Sequence, residues 1–279
     1  MKAFCSTAIA AALVLALPGC QQRTAETNAP EGATATAASL DALGGTWKVD
    51  IASLKFEGKP DEYLLKDGSY SCATCIPALT VAADGAMHPV ADRPYYDNMS
   101  VKEVDARTVE VSRTKGGREV SSSISSVSED GKVLTVRFKN MNTPGQTTEG
   151  TSTSQRVGPA PAGAHAVSGQ WREDRISDYS EDALNVTFKV AGNQVTMNDR
   201  GQSYTAEIGG PAVAIQGDTG GTMIKLAREG TGALRETEMR GGKEIGYAIL
   251  TPSADGKMLN GVYTDVRDGS KTSWSASKQ

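Results

Sequence analysis

Aromatic residues make up only 5% of this 279-residue chain, histidine occurs twice, and positive charge is outweighed, with a net charge of −4 and a pI near 5.4. Each shortage excludes something. Without a basic surface to neutralise a run of phosphates, nucleic acid is not an expected partner. With His88 and His165 as its whole histidine complement, the chain lacks the usual parts of a hydrolase triad. No Gly-x-Ser-x-Gly, His-Glu-x-x-His or phosphate-cradling glycine loop occurs either. Acidic pairs such as Glu173-Asp174 and Glu181-Asp182 read as solvated turn residues, since neighbours on a strand point to opposite faces. A binding or interaction protein is expected ahead of an enzyme, with no cofactor and no bound metal.

Long amphipathic helical stretches are also missing. Glycine recurs 30 times, too often for a 3.6-residue period to persist, and the stretch around Ser122, Ile124 and Val127 alternates with a period near two. The expected class is therefore all-β. Length, with 38% hydrophobic and 22% charged residues, suits about two globular domains.

The one sustained apolar run, residues 8–17, follows Met1-Lys2 and is of signal-peptide length, too short to remain as a membrane span. It ends in Leu17-Pro18-Gly19-Cys20, which resembles the lipobox of bacterial lipoproteins, with Pro18 an unusual residue at its position. That resemblance implies cleavage after residue 19, acylation of Cys20, and a lipid membrane as partner. Each buried acyl CH₂ contributes about 0.8 kcal/mol, so several chains hold stably. In that family an Asp after the cysteine favours the inner membrane; Gln21 stands here, which implies the outer membrane of the cell envelope. Residues 20–42, rich in Ala, Thr, Glu and Pro, bury too little to offset their ordering entropy and are expected to be a disordered tether.

The chain also matches itself. Gly45-Thr46-Trp47 aligns with Gly169-Gln170-Trp171 at an offset of 124 residues, as does Gly68 with Gly192. Gly116-Gly117-Arg118-Glu119-Val120 then aligns with Gly241-Gly242-Lys243-Glu244-Ile245 at an offset of 125. At that same offset Ser128-Glu129-Asp130-Gly131-Lys132 meets Ser253-Ala254-Asp255-Gly256-Lys257, and Phe138 meets Tyr263. Asp-Gly and Gly-Gly supply the positive φ angles of tight hairpin turns, and Leu134, Val136 and Phe138 alternate with polar residues as in a half-buried strand. Two tandem modules are expected, at 43–157 and 167–279, joined by a linker at 158–166 with little side chain to pack. Each has room for about eight short strands, enough to close as an antiparallel barrel or pack as a sandwich.

A Gly-x-Trp on the first strand, a run of hairpins and a closing basic residue are similar to the lipocalin pattern. Gly45, Trp47 and Arg156 carry it in the first copy, and Gly169, Trp171 and Lys278 in the second. The resemblance implies that the basic residue packs over the tryptophan to seal the barrel, and that a small apolar molecule binds inside.

Of four cysteines, Cys5 belongs to the signal and Cys20 to the anchor, which leaves Cys72 and Cys75. In an oxidising envelope a local disulfide clipping a turn is expected. Two alternatives stand beside it: a redox pair, and a zinc site completed by His88 and Asp97. Haem attachment is excluded because Ile76, not His, follows the second cysteine. The segment 88–97 could form a loop at a barrel mouth, with His88, Tyr95, Tyr96 and Asp97 as ligand contacts beside Trp47 and Trp171, or it could be a proline-shaped crossover covering a core edge. The reading that follows is an envelope lipoprotein binding a small apolar or amphipathic ligand. An interaction module of the cell envelope and a thiol-redox accessory protein using Cys72 and Cys75 are the alternatives.

Overall fold

The structure, a computed structural model, describes residues 40–279. The expected signal segment, Cys20 and the expected tether up to residue 39 lie outside the described residues. The chain is all-β, in two ten-stranded antiparallel sheets, each curled into a nearly closed barrel. Barrel I contains β2 (Asp61–Lys66), β3 (Ser69–Cys72), β4 (Leu79–Ala82), β5 (His88–Pro89), β6 (Asn98–Asp105), β7 (Thr108–Lys115), β8 (Arg118–Val127), β9 (Val133–Asn140), β10 (Thr148–Val157) and β11 (Gly169–Ser177). Barrel II contains β12 (Asn185–Ala191), β13 (Gln194–Asp199), β14 (Gln202–Glu207), β15 (Val213–Ala214), β16 (Met223–Glu229), β17 (Ala233–Arg240), β18 (Lys243–Pro252), β19 (Met258–Asp265) and β20 (Lys271–Lys278). Its tenth strand is β1 (Gly45–Glu57).

The repeat is visible atom by atom. Gly116-Gly117 and Gly241-Gly242 take positive φ at both positions, the conformation that lets a two-residue turn follow strand twist, and they join β7 to β8 and β17 to β18. In the next turn Ser128 Oγ donates to Asp130 Oδ1 at 2.7 Å, and the same oxygen accepts the Lys132 amide at 3.1 Å. Ser253, Asp255 and Lys257 repeat both bonds at 2.6 and 3.1 Å. Register follows: Ser121 faces Asn140 as Gly246 faces Asp265.

The sheets do not coincide with the sequence copies at 43–157 and 167–279. Strand β1, carrying Trp47, lies between β12 and β20 of barrel II, and β11, carrying Trp171, lies between β10 and β2 of barrel I. Each Gly-x-Trp strand thus serves the other copy's sheet. Barrel I is a contiguous up-and-down meander sealed where its last strand meets its first. Barrel II is sealed by β1, the first strand among the described residues. The remaining seam of each is short: Gly85 N donates to Val101 O at 2.9 Å in barrel I, and Gly209 N to Leu226 O at 2.8 Å in barrel II.

The exchange also crosses the basic caps. Arg156 stacks over Trp171 at 4.0 Å, and Lys278 over Trp47 at 5.0 Å, so neither covers the tryptophan of its own copy. Both indoles are fully buried, and each donates its N–H to a carbonyl four residues upstream, Leu43 at 2.7 Å and Val167 at 2.8 Å. Burying such a ring removes about 200 Å² from water, of order 5 kcal/mol before entropy.

Two boundaries move as a result. Leu40 and Leu43 sit in a 3-10 turn packed into the core of barrel II, so the end of the expected tether at residues 40–42 belongs to the folded body. The expected linker 158–166 is the β10–β11 connection of barrel I and is docked on it. The His165 amide donates to Leu65 O at 2.9 Å, Lys66 Nζ to Ala162 O at 3.3 Å, and Ala166 packs on the core. Small side chains left the backbone itself free to make these contacts.

Candidate ligand-binding cleft

Between the barrels lies a cleft of about 370 Å³, lined by residues of both. The outer halves of the exchanged strands form part of its wall, with Leu54 and Phe56 from β1 and Arg172 and Ile176 from β11. Beyond Asp50, β1 bulges: Ser53 Oγ donates to Asp50 O at 2.6 Å and accepts the Ser275 amide at 2.8 Å, before pairing resumes at Lys55. The bulge bends the strand, whose end stays paired with β20 and also runs beside β11.

Two polar clusters hold the barrels together. In the first, the Tyr95 hydroxyl donates to Asp218 Oδ1 at 2.9 Å, and Arg240 Nη2 donates to Tyr95 Oη at 2.9 Å and to Thr222 Oγ1 at 2.8 Å. The Tyr95 ring fits because position 220 is glycine; a Cβ there would stand 2.3 Å from the ring. Lys115 Nζ reinforces the contact, bonding Pro94 O and, at 2.9 Å, Thr219 O. In the second cluster Arg200 of barrel II donates to Thr148 Oγ1 at 2.6 Å and Thr147 O at 2.8 Å, while Asp182 pairs with its Nε side at 3.2 Å.

The cleft is rich in aromatic rings in a protein that has few, and arginines stand among them. Phe56, Tyr70, Tyr95, Tyr96, Trp171, Tyr179 and Tyr263 line it, seven of the chain's fifteen aromatic residues. Arg113 lies over the Tyr96 ring at 5.3 Å, its Nη1 reaching Ser121 Oγ at 3.4 Å. Arg93 donates through Nη2 to Pro77 O and Ala78 O. The Nε atoms of Arg93, Arg113 and Arg240 are buried, and none finds a hydrogen-bond partner among the described residues. Burial pushes the Tyr70 hydroxyl far above its ordinary value against the opposing pull of Arg113, so this phenol stays protonated and able to donate.

Two acids on the barrel II side are engaged. Glu238 accepts the Tyr263 hydroxyl at 3.1 Å, and Asp265 pairs with Arg267 at 2.6 Å. Asp199 is pushed up to about 6 by burial, with Arg200 opposing. Deeper in the barrel, outside the cleft, Glu236 is pushed up to about 7 by burial, against the hydrogen bond from Tyr204, with Glu238 adding to the rise.

The expected ligand contacts divide. Tyr95, Tyr96 and the edge of Trp171 line the cleft, although Tyr95 also serves as an inter-barrel contact. Trp47 is an end plug away from it. His88 lies outside as well, pairing with Asp84 at 2.8 Å, and Asp97 fastens a turn by accepting the Gly116 amide at 2.8 Å. Cys72 and Cys75 form a disulfide with Cα atoms 5.4 Å apart, which removes the two thiolates a zinc site needs; Cys75 faces the cleft.

Arg93, Arg113, Arg240, Tyr70 and Tyr263 were not singled out from sequence. A signal existed for two of them, because Arg113 continues the inward row Val109 and Val111, and Arg240 the inward row Leu234, Glu236 and Glu238. A charge on the buried parity of a strand marks a site or a cost. Compared with protein-family models and with curated proteins, the chain finds no match.

Proposed function

We propose that this protein is a lipid-anchored envelope binding protein, and that the cleft between its barrels holds a small amphipathic molecule. The supporting observation is the cleft itself, of a volume usual for small-molecule sites, with aromatic walls and guanidinium N–H groups that have no acceptor. The lipocalin-like pattern pointed to a ligand inside a barrel. Both barrels instead carry side-chain cores centred on Leu65, Val101 and Leu134 in one and on Leu226, Leu234 and Leu250 in the other, so the space between them is the better candidate. Acylation of Cys20 would keep the cleft at a membrane surface.

Protein purified from its own membrane and examined by native mass spectrometry is expected to carry a bound small molecule in stoichiometric amount, lost on denaturation. Repeated recovery of the bare polypeptide mass under conditions that keep known carriers loaded would overturn the binding reading. For the anchor, metabolic labelling with a fatty acid is expected to tag the wild type and not Cys20→Ala. Equal labelling of the two would remove that part of the proposal.

A further inference from the structure

We infer that the cleft selects an aryl carboxylate: a planar aromatic body with a single anionic head directed at Arg113 and Arg93. This rests on the cleft being a binding site and adds the class of ligand. The body follows from composition, since nearly half of a scarce residue type gathers around one 370 Å³ space, and ring faces favour a flat, polarisable partner by offset stacking. The head follows from charge. Arg113 and Arg93 line the cleft with Nε–H groups that have no acceptor among the described residues, while of the acids that line it Glu238 accepts from Tyr263, Asp265 pairs with Arg267 and Asp61 accepts from Thr74 Oγ1. A guanidinium fork with free N–H groups fits the two oxygens of a carboxylate better than it fits a hydroxyl. Tyr70, whose hydroxyl stays protonated, adds a neutral donor on the same side.

Copy-to-copy differences agree. At the repeat offset of 125 residues the position of Arg113 is Glu238 in the second copy, so these two equivalent positions carry opposite charge. Glu238 already accepts the Tyr263 hydroxyl, whereas the Arg113 Nε–H has no acceptor among the described residues. A ligand with one anionic end therefore has one preferred orientation.

Three probes share a ring and differ in the head: 2-naphthoate, 2-naphthylmethanol and 2-naphthylmethylamine, titrated calorimetrically into the folded protein. Naphthoate is expected to bind at least roughly tenfold more tightly than the alcohol, and the amine more weakly still. Arg113→Gln is expected to bring acid and alcohol to within roughly threefold of each other, and Arg93→Gln to shrink the preference in the same direction. Circular dichroism checks that both variants keep the fold. Decanoate, an acid without a ring, is expected to bind less tightly than naphthoate.

Equal affinity for acid and alcohol in the wild type, or a preference that survives both substitutions, overturns the head assignment and leaves the cleft as a site. Decanoate binding as tightly as naphthoate overturns the aromatic body alone. No saturable binding by any probe up to about 1 mM overturns this inference together with the binding reading on which it rests.

Discussion

Glu236 sits almost wholly out of water in barrel II, accepting the Tyr204 hydroxyl and placed one inward position from Glu238. Burial raises its carboxyl to about 7 from an ordinary 4.5. A folded-state value above the unfolded one means that the native protein binds the proton more tightly, so stability falls as pH rises from about 4.5 to 7 and is flat above. Glu236→Gln keeps an acceptor for Tyr204 and removes the titration. It is expected to stabilise the protein by about 1–3 kcal/mol near pH 8, and by much less near pH 5. Asp130 and Asp255 work the other way: their serine hydroxyls hold them below the usual carboxylate range, and what they contribute is lost only in stronger acid. Urea unfolding of wild type and variant at the two pH values reads the difference, and an equal gain at both would show that Glu236 does not titrate as described. The signal for this group lay in the parity of β17, which puts Glu236 on the same inward row as Leu234.

At the scale of single elements, the ends of β1 and β11 explain why the pattern reads Gly-x-Trp. Gly169 has φ +122° and Gly45 φ +133°, and a Cβ at either would fall 2.5 Å from the basic cap, on Arg156 Nη1 or Lys278 Cε. The two caps differ in stiffness. Arg156 donates to the carbonyls of Gly131, Ser168 and Ala166 while stacking on Trp171, whereas the Lys278 ammonium, among the described residues, donates only to Ala42 O, at 3.2 Å. Gly169→Ala must therefore displace a fork with three bonds, and is expected to cost about 2–4 kcal/mol. Gly45→Ala asks a flexible chain to swing aside, and is expected to cost about 1–2 kcal/mol. Thermal unfolding that ranks Gly45→Ala as the more damaging would contradict the account. These elements were legible in the sequence, since Gly-x-Trp, Gly-Gly and Ser-x-Asp-Gly each need a special backbone and recur at nearly one offset. The cleft was not, because Arg113 and Arg240 become neighbours of one space only when two barrels close on it, and no local pattern encodes that approach.

For the whole molecule, the copy boundaries in sequence and the barrel boundaries in space differ by one strand, and the reason lies in closure. In a ring of hairpin-linked strands any strand can come first, so a repeat fixes the period but not the phase. Here the phase is shifted by one strand: β1 completes barrel II between β12 and β20, with the Gln279 amide bonded to Thr46 O at 2.9 Å, and β11 completes barrel I. A fragment of residues 59–178 contains every strand of barrel I together with Arg156, Trp171 and the disulfide, and it is expected to fold alone with a cooperative melt. A fragment of residues 43–157, the first sequence copy, keeps β1 without either of its partners and lacks the tryptophan under Arg156. It is expected to be largely unfolded or to associate through open edges. Residues 179–279 should behave similarly, until a peptide of residues 40–58 is added to supply Leu40, Leu43 and Trp47 and close the sheet. Strand circular dichroism and the melting curve of each fragment, with and without that peptide, separate the two phasings. Autonomous folding of 43–157, or indifference of 179–279 to the peptide, would mean that the Gly-x-Trp strands belong with their own copies, and the cleft they jointly wall would lose its basis.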